Sequence, residues 1–161
     1  MKRIIITIIF SAFTLGVFAQ ISKEDLAIVQ AHFQKDKKEL VTLAMKLNET
    51  QGHAFWPVYD EYETKRVALS TQRIGIINDY LKAYKTITDQ DATALMGRLF
   101  ANDMSLIELQ KSFFPKFSAA IGGTNAAKFY QVEYYVQLVV KEKVMTSLPF
   151  IGHDLNQNTA K

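Results

Sequence analysis

The chain has 161 residues, 48% of them hydrophobic and 22% charged, with a formal net charge of +3. That length and composition suit one domain with a real core and exclude a chain that is disordered throughout. Cysteine is absent, which excludes a disulfide framework, a thiol nucleophile, thiolate metal ligands and a lipid anchor on cysteine.

Lys2 and Arg3 precede the apolar run Ile4 to Phe18, and Val17-Phe18-Ala19 offers small residues at the two positions a signal peptidase reads. We expect a cleaved secretory signal over residues 1–19, a mature N-terminus at Gln20 and a periplasmic destination. The alternative, an uncleaved anchor, needs roughly 20 apolar residues to span a bilayer, and the run is shorter. No stable membrane insertion is expected after cleavage. Loss of Lys2 and Arg3 leaves 17 basic against 16 acidic residues, so the basic pI does not describe the mature chain and no nucleic-acid partner is expected.

The first helix is predicted over about Lys23 to Lys46, capped by Ser22, with Glu24 and Asp25 in its first turn. Leu26, Val29, Phe33, Leu40, Leu43 and Leu47 step at helical spacing, which puts the run Lys35-Asp36-Lys37-Lys38 on a solvated face.

A second helix starts at Asn48. Its side chain can accept from the backbone N–H of Gln51 while the Gln51 side chain returns to the N–H of Asn48, with Leu47 as the apolar residue before the cap. Phe55, Trp56, Tyr59 and Tyr62 follow one turn later. The pattern continues to about Ile87, some 38 residues or roughly 57 Å at 1.5 Å each, so an elongated molecule is expected. Pro57 lies too deep for a first-turn residue and predicts a kink. Arg66 and Arg73 interrupt the apolar stripe and are expected to snorkel to its rim.

Thr88 caps a third helix, with Ile87 before it and Asp91 at the third position. Leu95, Leu99, Leu106, Leu109, Phe113 and Phe117 form one stripe; Met96, Phe100, Ile107, Phe114 and Ile121 form a second, so this helix should touch two neighbours. Pro115 predicts another bend. Gly122-Gly123 stops the helix, and Thr124 or Asn125 caps a fourth that runs to about Ser147 before Pro149. Its core face is Phe129, Val132, Val136, Val139 and Val140. The segment 151–161 has no pattern and is expected to be mobile. No stretch alternates with period two, so the class is all-α: an elongated, hairpin-like bundle of four helices, long and kinked, forming a single domain over residues 20–150.

The two helix starts, Leu47-Asn48-Glu49-Thr50-Gln51 and Ile87-Thr88-Asp89-Gln90-Asp91, look like degenerate copies of an L-T-x-x-Q motif. A pair of such motifs in a small exported helical protein resembles the Spy/CpxP family of periplasmic proteins. Asn48 stands where the motif has Thr, and Ile87 and Asp91 where it has Leu and Gln; each keeps the capping chemistry. The segments Phe55-Trp56-Pro57-Val58-Tyr59, Phe113-Phe114-Pro115-Lys116-Phe117 and Lys128-Phe129-Tyr130-Gln131-Val132-Glu133 resemble more closely a set of uncharacterised exported helical proteins related to that family. The resemblance implies a thin, curved homodimer of long helices and activity as an ATP-independent chaperone, a stress modulator or a metal-responsive accessory.

Catalytic constellations are missing: His32, His53 and His153 lie in no recognisable nucleophile context, and there is no glycine-rich phosphate loop. We expect no enzyme and no cofactor. Glu49 with His53, and His32 with Asp36, share helix faces four residues apart, but two ligands are not a site and such pairs are common on solvated faces. No metal site is therefore assigned. Glu133 lies among Phe129, Val132 and Val136 and is expected to be partly buried, paired with Arg66 or Arg73, since a buried carboxylate needs a partner. The rings of Phe55, Trp56, Tyr59, Tyr62, Phe113, Phe114, Phe117, Tyr130, Tyr134 and Tyr135 exceed what four thin helices can hide, so some should form a dimer seam or an exposed patch, with Phe55, Trp56, Tyr59, Tyr62, Phe113, Phe114 and Phe117 the expected surface for unfolded or envelope protein clients, or else core and dimer seam. The expected function is chaperone-like or envelope-stress binding by a homodimer. The alternatives are a metal-responsive sensor or resistance accessory protein, and a structural partner of a membrane regulator.

Overall fold

A computed structural model describes the backbone from Lys23 to Gly152 and side chains from Phe33. The expected leader, the Ser22 cap, the His32 side chain, His153 and all of the C-terminal tail beyond Gly152 lie outside the described residues. The chain divides between Asp36 and Lys37 into two units, within the span expected to be one domain. The unit that begins at Lys37 carries the hydrophobic core.

The class is all-α. Among the described residues the regular elements are four helices, α1 (Lys23–Met45), α2 (Glu49–Ala83), α3 (Asp89–Ile121) and α4 (Gly123–Ser147). The start of α2 is fixed locally, as the sequence requires. Asn48 Oδ1 accepts from the Gln51 N–H at 2.9 Å, and Gln51 Oε1 accepts from the Asn48 N–H at 3.2 Å. Leu47 packs on the core beside this cap. At α3 the Thr88 hydroxyl accepts from the Asp91 N–H at 3.1 Å, but Asp91 returns its carboxylate to the Thr88 hydroxyl at 2.7 Å. The aspartate side chain is one methylene shorter than the glutamine's, so this second start is a variant of the first.

Both long helices run on through their prolines, Pro57 in α2 and Pro115 in α3. Each proline removes one intrahelical donor. The second helix stops at Ala83, short of Ile87, because the chain must reverse before Thr88 adopts the extended ψ of 161° that capping needs. The last helix begins at Gly123, two residues before the expected start. Gly122 joins α3 to α4 by itself, at φ 83° and ψ 151°, a conformation essentially restricted to glycine. Asn125 is drawn away from capping: its Nδ2 donates to the Ile121 carbonyl at 3.0 Å and satisfies the end of α3.

Contacts along the helices give their directions. Tyr62 lies against Phe113, and Phe55 against Phe117, so α3 runs antiparallel to α2. Tyr62 reaches Glu133 near one end and the Tyr80 hydroxyl donates to the Pro149 carbonyl near the other, so α4 runs parallel to α2. From Lys37 onward α1 lies antiparallel on α2, through Lys37–Glu63 and Lys38–Asp60.

Where the three helices α2, α3 and α4 meet, the core is made of rings. Phe117 and Phe129 have centroids 4.5 Å apart, Phe55 and Phe129 5.2 Å, and Tyr62 and Phe113 5.5 Å. Aromatic pairs of this kind contribute about 0.5–1.5 kcal/mol each beyond the area they bury. Val41 and Met45 of α1 close the cluster.

Candidate functional site

Inside the ring cluster sits a network of charge. Glu133 is 0% exposed, and Lys37, from the run expected to be solvated, is 3% exposed. Lys37 Nζ lies 2.6 Å from Glu63 Oε2 and 2.5 Å from Glu133 Oε1. The second approach is an ion contact without hydrogen-bond geometry. Arg66 grips Glu63 with both arms of its fork, Nε to Oε2 at 2.9 Å and Nη2 to Oε1 at 2.7 Å, and its third nitrogen donates to Ser70 Oγ at 3.0 Å. The Tyr62 hydroxyl donates to Glu133 Oε2 at 3.0 Å. Two cations and two carboxylates thus balance, the arrangement that lets charges survive burial.

The expected pairing of Glu133 with Arg66 or Arg73 is therefore corrected. Glu133 is buried, but Lys37 is its ionic partner; Arg66 is turned to Glu63 one helical turn before it, and Arg73 reaches Asp103 of α3. Nor does Arg66 snorkel: at 9% exposure it is held inside by the fork geometry that a glutamate three residues earlier allows. The inward seam of α1 is Lys37, Val41 and Met45, while Leu43, placed in the stripe by its spacing, is largely exposed. The four-residue steps back from Met45 through Val41 to Lys37 carried that signal in the sequence.

Electrostatics follow burial. Burial works against the charge of Glu63, but the Arg66 fork and the Lys37 ammonium outweigh it and hold the carboxyl below its ordinary range. Burial, reinforced by neighbouring carboxylates, pushes the Tyr59 and Tyr62 hydroxyls far above theirs. Every carboxylate of this network is enclosed and paired; it can hold elements together, and it offers no substrate an open approach.

The ring residues expected to face clients divide sharply. Phe55, Tyr59, Tyr62, Phe113 and Phe117 are all buried; α4 packs Phe129 and Tyr130 among them and α1 closes over them, so in this fold they are core rather than surface. Trp56 is half-buried and Phe114 is exposed. The exposed apolar surface lies elsewhere. The second stripe of α3 is covered by α4 only at its C-terminal end, leaving Met96, Phe100 (60% exposed), Met104 and Ile107 open. On α4, Tyr134 (57% exposed), Tyr135, Leu138 and Met145 are open as well. Phe114 meets Tyr130 at 5.6 Å, and Tyr130, itself buried, meets Tyr134 at 6.3 Å, so one ring contact lies between the two exposed stripes. Lys111 and Lys141 stand exposed on the same two helices.

Glu49 and His53 do share a face, 4.0 Å apart and both strongly exposed. Among the described residues no three His, Cys, Asp or Glu side chains gather where a metal could be held, and no helix is long and apolar enough to cross a membrane. Compared with protein-family models, with curated proteins and with solved structures, the chain matches none.

Proposed function

We propose that this is an exported, chaperone-like binding protein that holds apolar segments of other chains on the open face of α3 and α4. The observation that carries the reading is the set of exposed apolar side chains on two packed helices, Met96, Phe100, Ile107 and Phe114 on α3 and Tyr134 and Leu138 on α4. Large exposed apolar surface marks an interaction site. Its methionines adapt to varied partners without a fixed complementary shape, and exposed lysines add long-range attraction. The leader expected from residues 1–19 and the paired helix caps that resemble the Spy/CpxP family agree with this reading. The test is light scattering of a chemically unfolded client mixed with the mature protein. Suppression at equimolar ratio is expected, lost in Phe100→Asp/Ile107→Asp; no suppression at any ratio overturns the proposal.

The same face favours a second reading, the seam of a homodimer. Half-exposed side chains of this size uncover on the order of 100 Å² each, so seven of them approach the roughly 800 Å² per partner of a standard interface. Sedimentation separates the readings: a dimer that Phe100→Asp converts to monomer assigns the face to a second copy.

A further inference from the structure

We propose that the end of α1, Lys37 to Met45, is a strap over a latent apolar binding site formed by Trp56, Tyr59, Tyr62 and Phe129, and that buried Lys37 is its catch. Three observations point the same way. First, the strap grips largely through charge: besides Lys37, Lys38 pairs with Asp60 at 2.8 Å, on side chains about half exposed, and Lys128 donates to the Met45 carbonyl at 3.4 Å. Its inward seam is one lysine, one valine and one methionine, against rings that are almost entirely buried. Much of the contact is cationic: Lys37 Nζ lies 5.9 Å from the centroids of both Tyr59 and Tyr62, and Lys38 Nζ 5.1 Å from that of Trp56. A buried ion pair adds little net stability, because desolvating its charges offsets their attraction.

Second, closure leaves polar groups poorly served. The Tyr59 hydroxyl, on a residue 1% exposed, has no hydrogen-bond partner among the described residues, and Glu133 Oε1 meets Lys37 without hydrogen-bond geometry. Water admitted by opening would satisfy both, whereas an unmade hydrogen bond in the closed state is a standing cost. Third, the strap ends at a helix stop separate from the start of α2. Lys46 is the one non-glycine residue with positive φ among the described residues, at 48°, and the independently capped start of α2 follows at Asn48. Release of α1 would therefore leave α2 intact. The remaining helices still pack on one another through Phe55, Phe113, Phe117 and Phe129. What opens is a ring-lined trough with the Glu133 carboxylate at its base and that of Glu63, still held by Arg66, beside it, suited to an extended apolar segment carrying a basic side chain in place of Lys37.

This concealed site is additional to the open face of α3 and α4 and rests on the proposed function only for what enters; the opening is tested without a client. Because the chain lacks cysteine, single thiols can be placed at two buried positions, Val41→Cys on the inward seam of the strap and Ile121→Cys at the α3–α4 corner. In the mature protein the first should label at least tenfold faster than the second, and anilinonaphthalene sulfonate, as an apolar probe, should accelerate the first alone. Adding Lys37→Met should raise the Val41→Cys rate at least tenfold further, with Val41→Cys still labelling at least tenfold faster than Ile121→Cys. Equal rates at the two thiols, or equal acceleration of both by the probe, would mean that only global unfolding exposes them and would overturn the strap. Should Lys37→Met fail to fold, the ratio in the otherwise unaltered protein decides. Failure to suppress client aggregation with a fast Val41→Cys thiol would sink the function and spare the strap; equal rates with intact suppression would do the reverse.

Discussion

Lys37 of α1 and Glu133 of α4 meet 2.5 Å apart in the core, and both are shut away from water. Removing one partner leaves the buried network with one uncompensated charge, since Glu63 is shared by Lys37 and Arg66, and breaking a buried pair in this way costs about 3–5 kcal/mol. Glu133→Leu alone is therefore expected to destabilise by that amount, while Lys37→Met/Glu133→Leu should recover most of the loss. A double-mutant cycle by urea denaturation measures the coupling; additive losses would show that the pair is not an energetic unit. Glu133→Gln, which keeps an acceptor for Tyr62, should lie between.

Acid should weaken the same network. The folded Glu63 carboxyl titrates below its ordinary value of 4.5, so the unfolded chain binds the proton more readily. The resulting stability is fully present above the unfolded value and is lost as pH falls through the folded one. The urea midpoint is thus expected to drop on acidification below about pH 4.5, and Glu63→Gln should flatten that dependence. An unchanged slope in the variant would exclude Glu63 as its source.

Glycines in different settings should respond oppositely to alanine. Gly122 has the positive φ of 83° at the single-residue link between α3 and α4, so Gly122→Ala should cost about 1–3 kcal/mol. A Cβ at Gly97, inside α3, meets nothing within 4 Å, and Gly97→Ala should stabilise by about 0.5–1 kcal/mol. Thermal denaturation of the two variants reads both signs.

Buried and exposed rings should separate stability from binding. Phe55→Ala removes a fully buried side chain and is expected to cost about 3–5 kcal/mol. Phe100→Asp changes a side chain that is mostly in water and should stay within about 0.5 kcal/mol of the parent while weakening client capture. A large stability loss in Phe100→Asp would place that ring in a buried interface.

Several helix boundaries were legible in the residues because the forces that set them act over three or four positions, although α2 stops at Ala83, short of the expected Ile87. The Asn48–Gln51 box, the Thr88 cap and the stop at Gly122 each involve near neighbours. The start of α4 was less legible, since Asn125 had a competing use for its side chain on Ile121, across the link.

The sequence by itself determined four helices and the capped starts of α2 and α3, and it placed an acid, Glu133, inside. It could not say which cation would meet that acid. Lys37, Arg66 and Arg73 are equally capable by type, and the choice fell to the packing of α1 on α2, which brings Lys37 between Glu63 and Glu133 and leaves Arg66 to the glutamate on its own helix. Tertiary structure likewise decided which rings are surface. Apolar spacing makes a stripe but does not name its neighbour, so the same periodicity buried Phe55, Tyr59 and Phe117 and left Met96, Phe100 and Ile107 open. Capping and periodicity are local; pairing and burial depend on segments far apart in the chain, and only their docking fixes them.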